Sequence, residues 1–199
     1  LPLNGVSEYF DSVAGMYEHR RKKLGKWKAA QQQAIMQALD VKKGELILDA
    51  GCGTGFYCLL IIEKGGAPFG VDASEKMVAA AKAAGIKAVV GDIEKMRHSQ
   101  RFDKALFVGS LEFCRNPAAA IKNSAAALRQ NGIIVLTAPT LSLFGIVYAL
   151  FHLTHGFRVK LFRKKELREM LQQAGMQIVL MRKINALSVI IKAVKSGGK

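Results

Sequence analysis

The 199-residue sequence predicts an α/β fold, doubly wound, with a mostly parallel seven-stranded sheet and an antiparallel C-terminal hairpin. Three observations carry the expectation. From about residue 45 to 137, short apolar runs alternate with helical segments, the order that lays parallel strands beneath crossover helices. The first run, LILDA at 46–50, feeds a glycine-rich turn, GCGTG at 51–55, and then an apolar helical stretch. Near the end, two apolar runs, 176–181 and 187–194, are separated only by Arg-Lys-Ile-Asn at 182–185, the pattern of a hairpin.

The elements follow in order. Val6, Phe10, Val13 and Tyr17 recur at helical spacing within residues 5–18. A basic cluster from His19 to Lys28 leads into a second helix ending near Leu39. The cluster reads as a solvated helix face with snorkelling stems; contact with phosphates or anionic lipid is the alternative, weakened by its single aromatic, Trp27. Strands are expected at 45–49, 67–71, 86–90, 103–108 and 133–137, with helices at 56–64, 75–84 and 117–130 between them. Ser74 is placed to cap the helix at 75, and Asn116-Pro117 to start the one at 117. An apolar segment, 141–155, and a basic stretch, 158–168, then precede a helix at 164–174 and the hairpin. The reading is one domain overall, with residues 1–40 as a helical cap and 41–199 as the ligand-binding unit.

Composition limits the function classes. Half of the residues are hydrophobic, enough for a packed core. The first residues carry no basic leader ahead of an apolar stretch, and no apolar run reaches the roughly 18–20 residues that span a bilayer. Cys52, Cys58 and Cys114 are odd in number and lack metal-ligand spacing, so a reducing cytoplasm is expected and no metal. The net charge of +15 is compatible with nucleic acid, an anionic membrane surface or plain solubility.

Ligands of open α/β sheets sit outside the carboxyl ends of the strands, so the residues after each strand matter most. The turn at Gly51, Gly53 and Gly55 removes side chains where a ligand approaches and opens on a helix N-terminus. Asp72 ends the second strand about 20 residues further on, where a carboxylate can accept from ribose hydroxyls. Taken alone it could equally start the next helix. Asp92, after the third strand, is placed for an adenine amino group or simply for a turn. The turn is G-x-G-x-G rather than G-x-G-x-x-G, and Asp49 precedes it. A pyrophosphate would sit poorly beside that carboxylate, whereas a cationic amino or sulfonium group would be favoured.

With these residues in view, the chain resembles the class I S-adenosylmethionine-dependent methyltransferases, whose fold is Rossmann-like. LDAGCGTG at 48–55 is similar to their first motif, GVDAS at 70–74 to the second and GDIEKM at 91–96 to the third. FDKALFVGSLEFCRNP at 102–117 and LRQNGIIVLTAP at 128–139 match the fourth-strand and fifth-strand segments. The subgroup it resembles methylates quinones, porphyrins and lipid-type acceptors. The resemblance implies S-adenosyl-L-methionine as cofactor and S-adenosyl-L-homocysteine as product. Asp49, Gly51, Gly53 and Gly55 would line the methionine end, Asp72 and Ala73 the ribose, and Asp92 with Ile93 the adenine. Val108, Gly109 and Leu111 would lie beside the reacting methyl, and an N-terminal helix carrying Tyr9 and Tyr17 would close over the cofactor. Relatives often carry histidine where this chain has Phe113, which removes one candidate base.

The candidates left for acid–base work are Glu112, which also reads as a helix-start acid, and His152 with His155, an i, i+3 pair that suits packing better than catalysis. The apolar segment at 142–157 follows the fifth strand, where the acceptor-side cover belongs, and Arg158, Lys160, Arg163, Lys164 and Lys165 rim it. The expected acceptor is therefore a small hydrophobic or lipid-like molecule, with peripheral contact to an anionic membrane. An RNA methyltransferase and a non-catalytic cofactor-binding module stay open as alternatives. Nucleic acid is the less favoured partner because only 8% of the chain is aromatic.

Overall fold

The computed structural model describes residues 3–22, 25–97, 101–154 and 158–196, with side chains of the first two helices described at 6–15 and 29–39. Two helices, α1 (Leu3–Lys22) and α2 (Gly25–Leu39), precede β1 (Leu46–Ala50) and α3 (Phe56–Glu63). Then come β2 (Ala67–Asp72), α4 (Glu75–Ala83), β3 (Ala88–Val90), β4 (Phe102–Phe107) and a single 3-10 turn at Leu111–Phe113. The chain continues through α5 (Pro117–Ala127), β5 (Leu128–Pro139), α6 (Leu143–Thr154), α7 (Lys164–Gln173), β6 (Met176–Lys183) and β7 (Ser188–Lys195).

The strands form one seven-stranded sheet in the order β3-β2-β1-β4-β5-β7-β6. β1 to β5 run parallel, and β7 is antiparallel to both β5 and β6. The hairpin therefore folds back so that its second strand takes the inner place, Val135 opposite Lys192 and Leu136 opposite Ile191. The order reverses at β1, between β2 and β4, and a ligand crevice opens at such a switch point.

Both faces of the sheet are buried, and side-chain alternation sorts the core into two layers. Leu48, Phe107, Leu136 and Ile191 pack on one face against Ile121 of α5 and Leu167 and Leu171 of α7. Their strand neighbours Ile47, Leu106, Val135 and Ile190 pack on the other, against Ile35 and Leu39 of α2 and Ile61 of α3. The expected caps are present. Ser74 Oγ accepts from Met77 N at 3.1 Å, and Asn116 Oδ1 from Ala119 N at 3.1 Å.

Of the boundaries that differ from the sequence expectation, two have a clear tertiary cause. Helix α5 stops at Ala127 rather than near 130, because Leu128 pairs with Phe102 at the foot of β4. Asn131, at φ 60°, then turns the chain back into register, Ile133 opposite Lys104. The third strand starts at Ala88 rather than 86, since Ile86 buries its side chain against the cluster of Cys58, Val78 and Ala81.

Ile191 is fully buried in the central antiparallel strand, whereas Val179 on β6 is 56% exposed. Ile191→Ala is expected to lower unfolding free energy by about 2–5 kcal/mol, and Val179→Ala by less than about 0.5 kcal/mol, both measured by urea denaturation.

Candidate active site

The glycine turn is held from two sides. Gly51 N and Cys52 N both donate to Val71 O of β2, at 2.7 and 3.0 Å. From the β4 side, Ser110 Oγ donates to Ala50 O at 2.6 Å. Gly51 sits at φ +83°, and a Cβ there would lie 2.3 Å from Ser110 Cβ, so the loops after β1 and β4 interlock only because that side chain is missing. Asp72, closing β2, ties the turn from below: Oδ2 accepts from Gly53 N at 2.8 Å and Oδ1 from Ser74 N at 2.9 Å.

Above these loops lies a cavity of about 600 Å³. Among the described lining residues are five carboxylates, Asp49, Asp72, Asp92, Glu94 and Glu112, and no lysine, arginine or histidine. In a chain of net charge +15 that sorting is a strong local inversion. Burial disfavours the charged form and pushes Asp49 up to about 7; the Cys58 thiol, which donates to its Oδ2 at 3.3 Å, pulls the other way, and the Asp72 charge adds to the rise. Glu112 is likewise pushed up to about 7 by burial. Its Oε2 has no hydrogen-bond partner among the described residues. Asp72 is raised as well, by burial, against the backbone N–H groups it accepts from.

The other lining is apolar and aromatic. Phe10 of α1 meets Phe113 edge-on at 5.3 Å between ring centroids, and Phe113 meets His152 of α6 at 6.0 Å. His152 also packs on Tyr148, at 4.4 Å, and Tyr148 lines the cavity. Phe113 thus joins two covering helices. Helix α1 is clasped further by polar contacts to the start of α4. Ser7 Oγ donates to Ala73 O at 3.0 Å, Ser74 Oγ donates to Asp11 Oδ1, and Lys76 N donates to the same oxygen at 3.1 Å. The Ser74 and Lys76 hydrogen bonds hold the Asp11 carboxyl below its ordinary range.

Of the residues singled out in the sequence, Asp49, Gly51, Gly53, Asp72, Ala73, Asp92, Ile93, Val108, Gly109 and Glu112 all line this cavity. Gly55 does not: as N-cap of α3 it faces Ile86 and Ala81. Leu111 is also turned away, because the 3-10 turn directs it into the core with Ala120 and Ile121. His152 sits behind Phe113 and Tyr148 rather than in the lining. His155 and the side chains of Tyr17 and of the cluster at 19–28 lie outside the described residues. The sequence reading missed Ser7, Phe10, Glu94, Asn185 and Leu187 as lining residues. Glu94 had a signal within GDIEKM: its two oxygens accept from Arg115 N at 2.8 Å and Asn116 N at 2.7 Å, fixing the loop after β4.

Comparison with known proteins agrees with this geometry. Residues 48–136 match the model of a methyltransferase domain. A ubiquinone biosynthesis O-methyltransferase of Bradyrhizobium diazoefficiens is 30% identical over 108 residues, covering 51% of this chain and 43% of the relative. A demethylmenaquinone methyltransferase of Staphylococcus aureus is 28% identical over 186 residues, 86% of this chain and 75% of the relative. Among solved structures, magnesium protoporphyrin IX methyltransferase of Synechocystis with bound S-adenosylhomocysteine superposes with a TM-score of 0.74 at 21% identity, covering 96% of this chain and 98% of the other. The chain spans about half the length of the curated relatives it matches first. Residues 48–136 belong to the methyltransferase domain family, and the fold is that of the class I S-adenosylmethionine-dependent methyltransferases. The donor set fits that cofactor: carboxylates at strand ends suit its amino, sulfonium and hydroxyl groups, and the described lining offers no cation for a pyrophosphate.

Two carboxyls raised to about 7 give the free protein a definite pH dependence. In the unfolded chain they ionise near 4, so the stability they contribute is full below that pH and is lost as pH rises to about 7. Thermal unfolding is expected at a higher temperature at pH 5.5 than at pH 8, and the difference should shrink in the Asp49→Asn, Glu112→Gln double variant.

Proposed function

We propose that the protein transfers the methyl group of S-adenosylmethionine to a small hydrophobic acceptor. The observation that carries this reading is a cavity whose described lining holds five carboxylates and no cation, with aromatic and apolar side chains prominent in the rest of the wall. When bound, the cofactor supplies a methyl group on a sulfonium, already activated for in-line displacement. The protein's part is to bind, orient and exclude water. Asp49 faces the cationic methionine end. Asp72 accepts from ribose hydroxyls, each of its oxygens holding one backbone N–H and retaining capacity for a second donor. Asp92 and Ile93 border the adenine.

Glu112 is the group for proton removal. An acceptor hydroxyl needs a base within reach, and a carboxyl pushed up to about 7, with one oxygen unpartnered, is suited to it near neutral pH. His152 is a positioning residue in this reading, holding Phe113 and Tyr148 in place. The names of the quinone and porphyrin relatives support a hydrophobic ring system as acceptor. An RNA acceptor is disfavoured because the same carboxylates would repel its phosphates.

Three outcomes test this. Affinity for S-adenosylmethionine, measured by calorimetry, should rise from pH 6 to pH 8 with proton release on the acid side, since a cation beside Asp49 favours its carboxylate. The pH dependence should be weaker in Asp49→Asn. Asp72→Ala should weaken binding by about 1.5–3 kcal/mol per lost charged hydrogen bond; unchanged affinity would remove the ribose assignment. After the acceptor is identified by transfer of labelled methyl groups in a cell extract, Glu112→Gln should lower kcat by about 10²–10⁴-fold and flatten the acid limb of its pH profile, with cofactor affinity preserved. An unaltered kcat would mean that the acceptor atom needs no base.

A further inference from the structure

Helix α6 is amphipathic in the wrong sense for a soluble surface. Its 12 residues place Leu143, Phe144, Ile146, Val147, Leu150, Phe151 and Leu153 on one half of the circumference, and all of these are 45–75% exposed. The half turned to the protein carries Gly145, Tyr148, Ala149 and His152. The seven side chains offer on the order of 700 Å² of apolar surface, more than the few hundred Å² that a monomer ordinarily leaves in one patch.

The surroundings indicate what covers it. No aspartate or glutamate occurs between Glu112 and Glu166. Arg158, Lys160, Arg163, Lys164 and Lys165 are all exposed. Their segment lies beside the start of α6, because Leu141 N donates to Phe162 O at 3.0 Å and Phe162 N to Pro139 O at 2.9 Å. Lys165 has an ion pair with Glu169 at 3.9 Å, and Glu166 Oε2 accepts from Arg163 N at 2.7 Å; the other cations face solvent without an acid from α6 or its approach. An apolar helix half bordered by cations only is complementary to a surface that is apolar inside and negative outside. At about 1.5 Å per residue the helix is some 18 Å long, too short to cross a hydrocarbon core of roughly 30 Å, and among the described residues no helix is long and apolar enough to cross a membrane. Lying in the interface is the geometry that satisfies both halves.

We propose that α6 docks the protein on an anionic lipid surface, its exposed half among the upper acyl segments and the basic stretch 158–165 against the headgroups. Tyr148, on the opposite side of the same helix, lines the cavity, so docking sets the cavity wall directly behind the membrane contact. The inference does not rest on the identity of the methyl acceptor.

The test is co-sedimentation of the full chain with vesicles of phosphatidylcholine alone and with roughly a third phosphatidylglycerol, over a salt series. Wild-type protein should pellet with the anionic vesicles and progressively less as salt rises. Phe144→Ser with Leu150→Ser should reduce partitioning at least a hundredfold, and Lys164→Gln with Lys165→Gln about tenfold or more. Both variants should keep wild-type thermal unfolding and cofactor affinity, since none of the four residues lines the cavity. Wild-type protein left in the supernatant at low salt overturns the proposal, and so does undiminished binding by the serine variant. A wild-type dimer that ignores vesicles and becomes monomeric in the serine variant assigns the face to a second copy instead.

Discussion

The site depends on one half-buried carboxylate placed where two strands and a turn converge. Asp72 holds Gly53 N and Ser74 N at once, so the same group shapes the glycine turn and starts α4. Because it is largely desolvated, its pKa is raised, and only the backbone donors around it offset the cost of the charge. The parallel order of β2, β1 and β4 brings Asp49 and Ser110 to the same end of the sheet. The fold therefore supplies the acidity, and the missing side chain at Gly51 supplies the approach.

That acidity is also a filter. A chain with twice as many cations as anions keeps every cation out of the described cavity lining. Its basic groups lie elsewhere, around the approach to α7 and along exposed helix faces. Inside, Asp49 and Glu112 are neutral or charged according to what occupies the space beside them, since both sit near 7. A cationic ligand is thus met by groups whose charge it can itself call out, while phosphates meet only repulsion and burial.

Much of this was legible in the residues, for identifiable reasons. The apolar runs of β4 and β5, the caps at Ser74 and Asn116, and acids immediately after apolar runs are local features, and local features survive in sequence. What failed to show was tertiary. The end of α5 depends on Leu128 finding Phe102, which an alanine-rich run cannot announce. Leu111 and Val108 look interchangeable until a 3-10 turn sends one to the core and leaves the other at the cavity. Ser74 could be read as a cap, but not as the partner of Asp11, 63 residues earlier. Segment 142–157 is apolar all round, so no periodicity said which half of α6 would face outward.

Among the described residues, helix α1 is tied to the rim of the cavity by the Ser7 and Asp11 contacts to the start of α4 and by the Phe10–Phe113 edge contact. None of them belongs to the buried core of the sheet. Separation on that side would break these contacts and leave the strand pairing of the sheet in place. Under the proposed function, passage of the cofactor past α1 would depend on these contacts and not on the sheet, so ligand exchange and fold stability would draw on separate parts of the molecule.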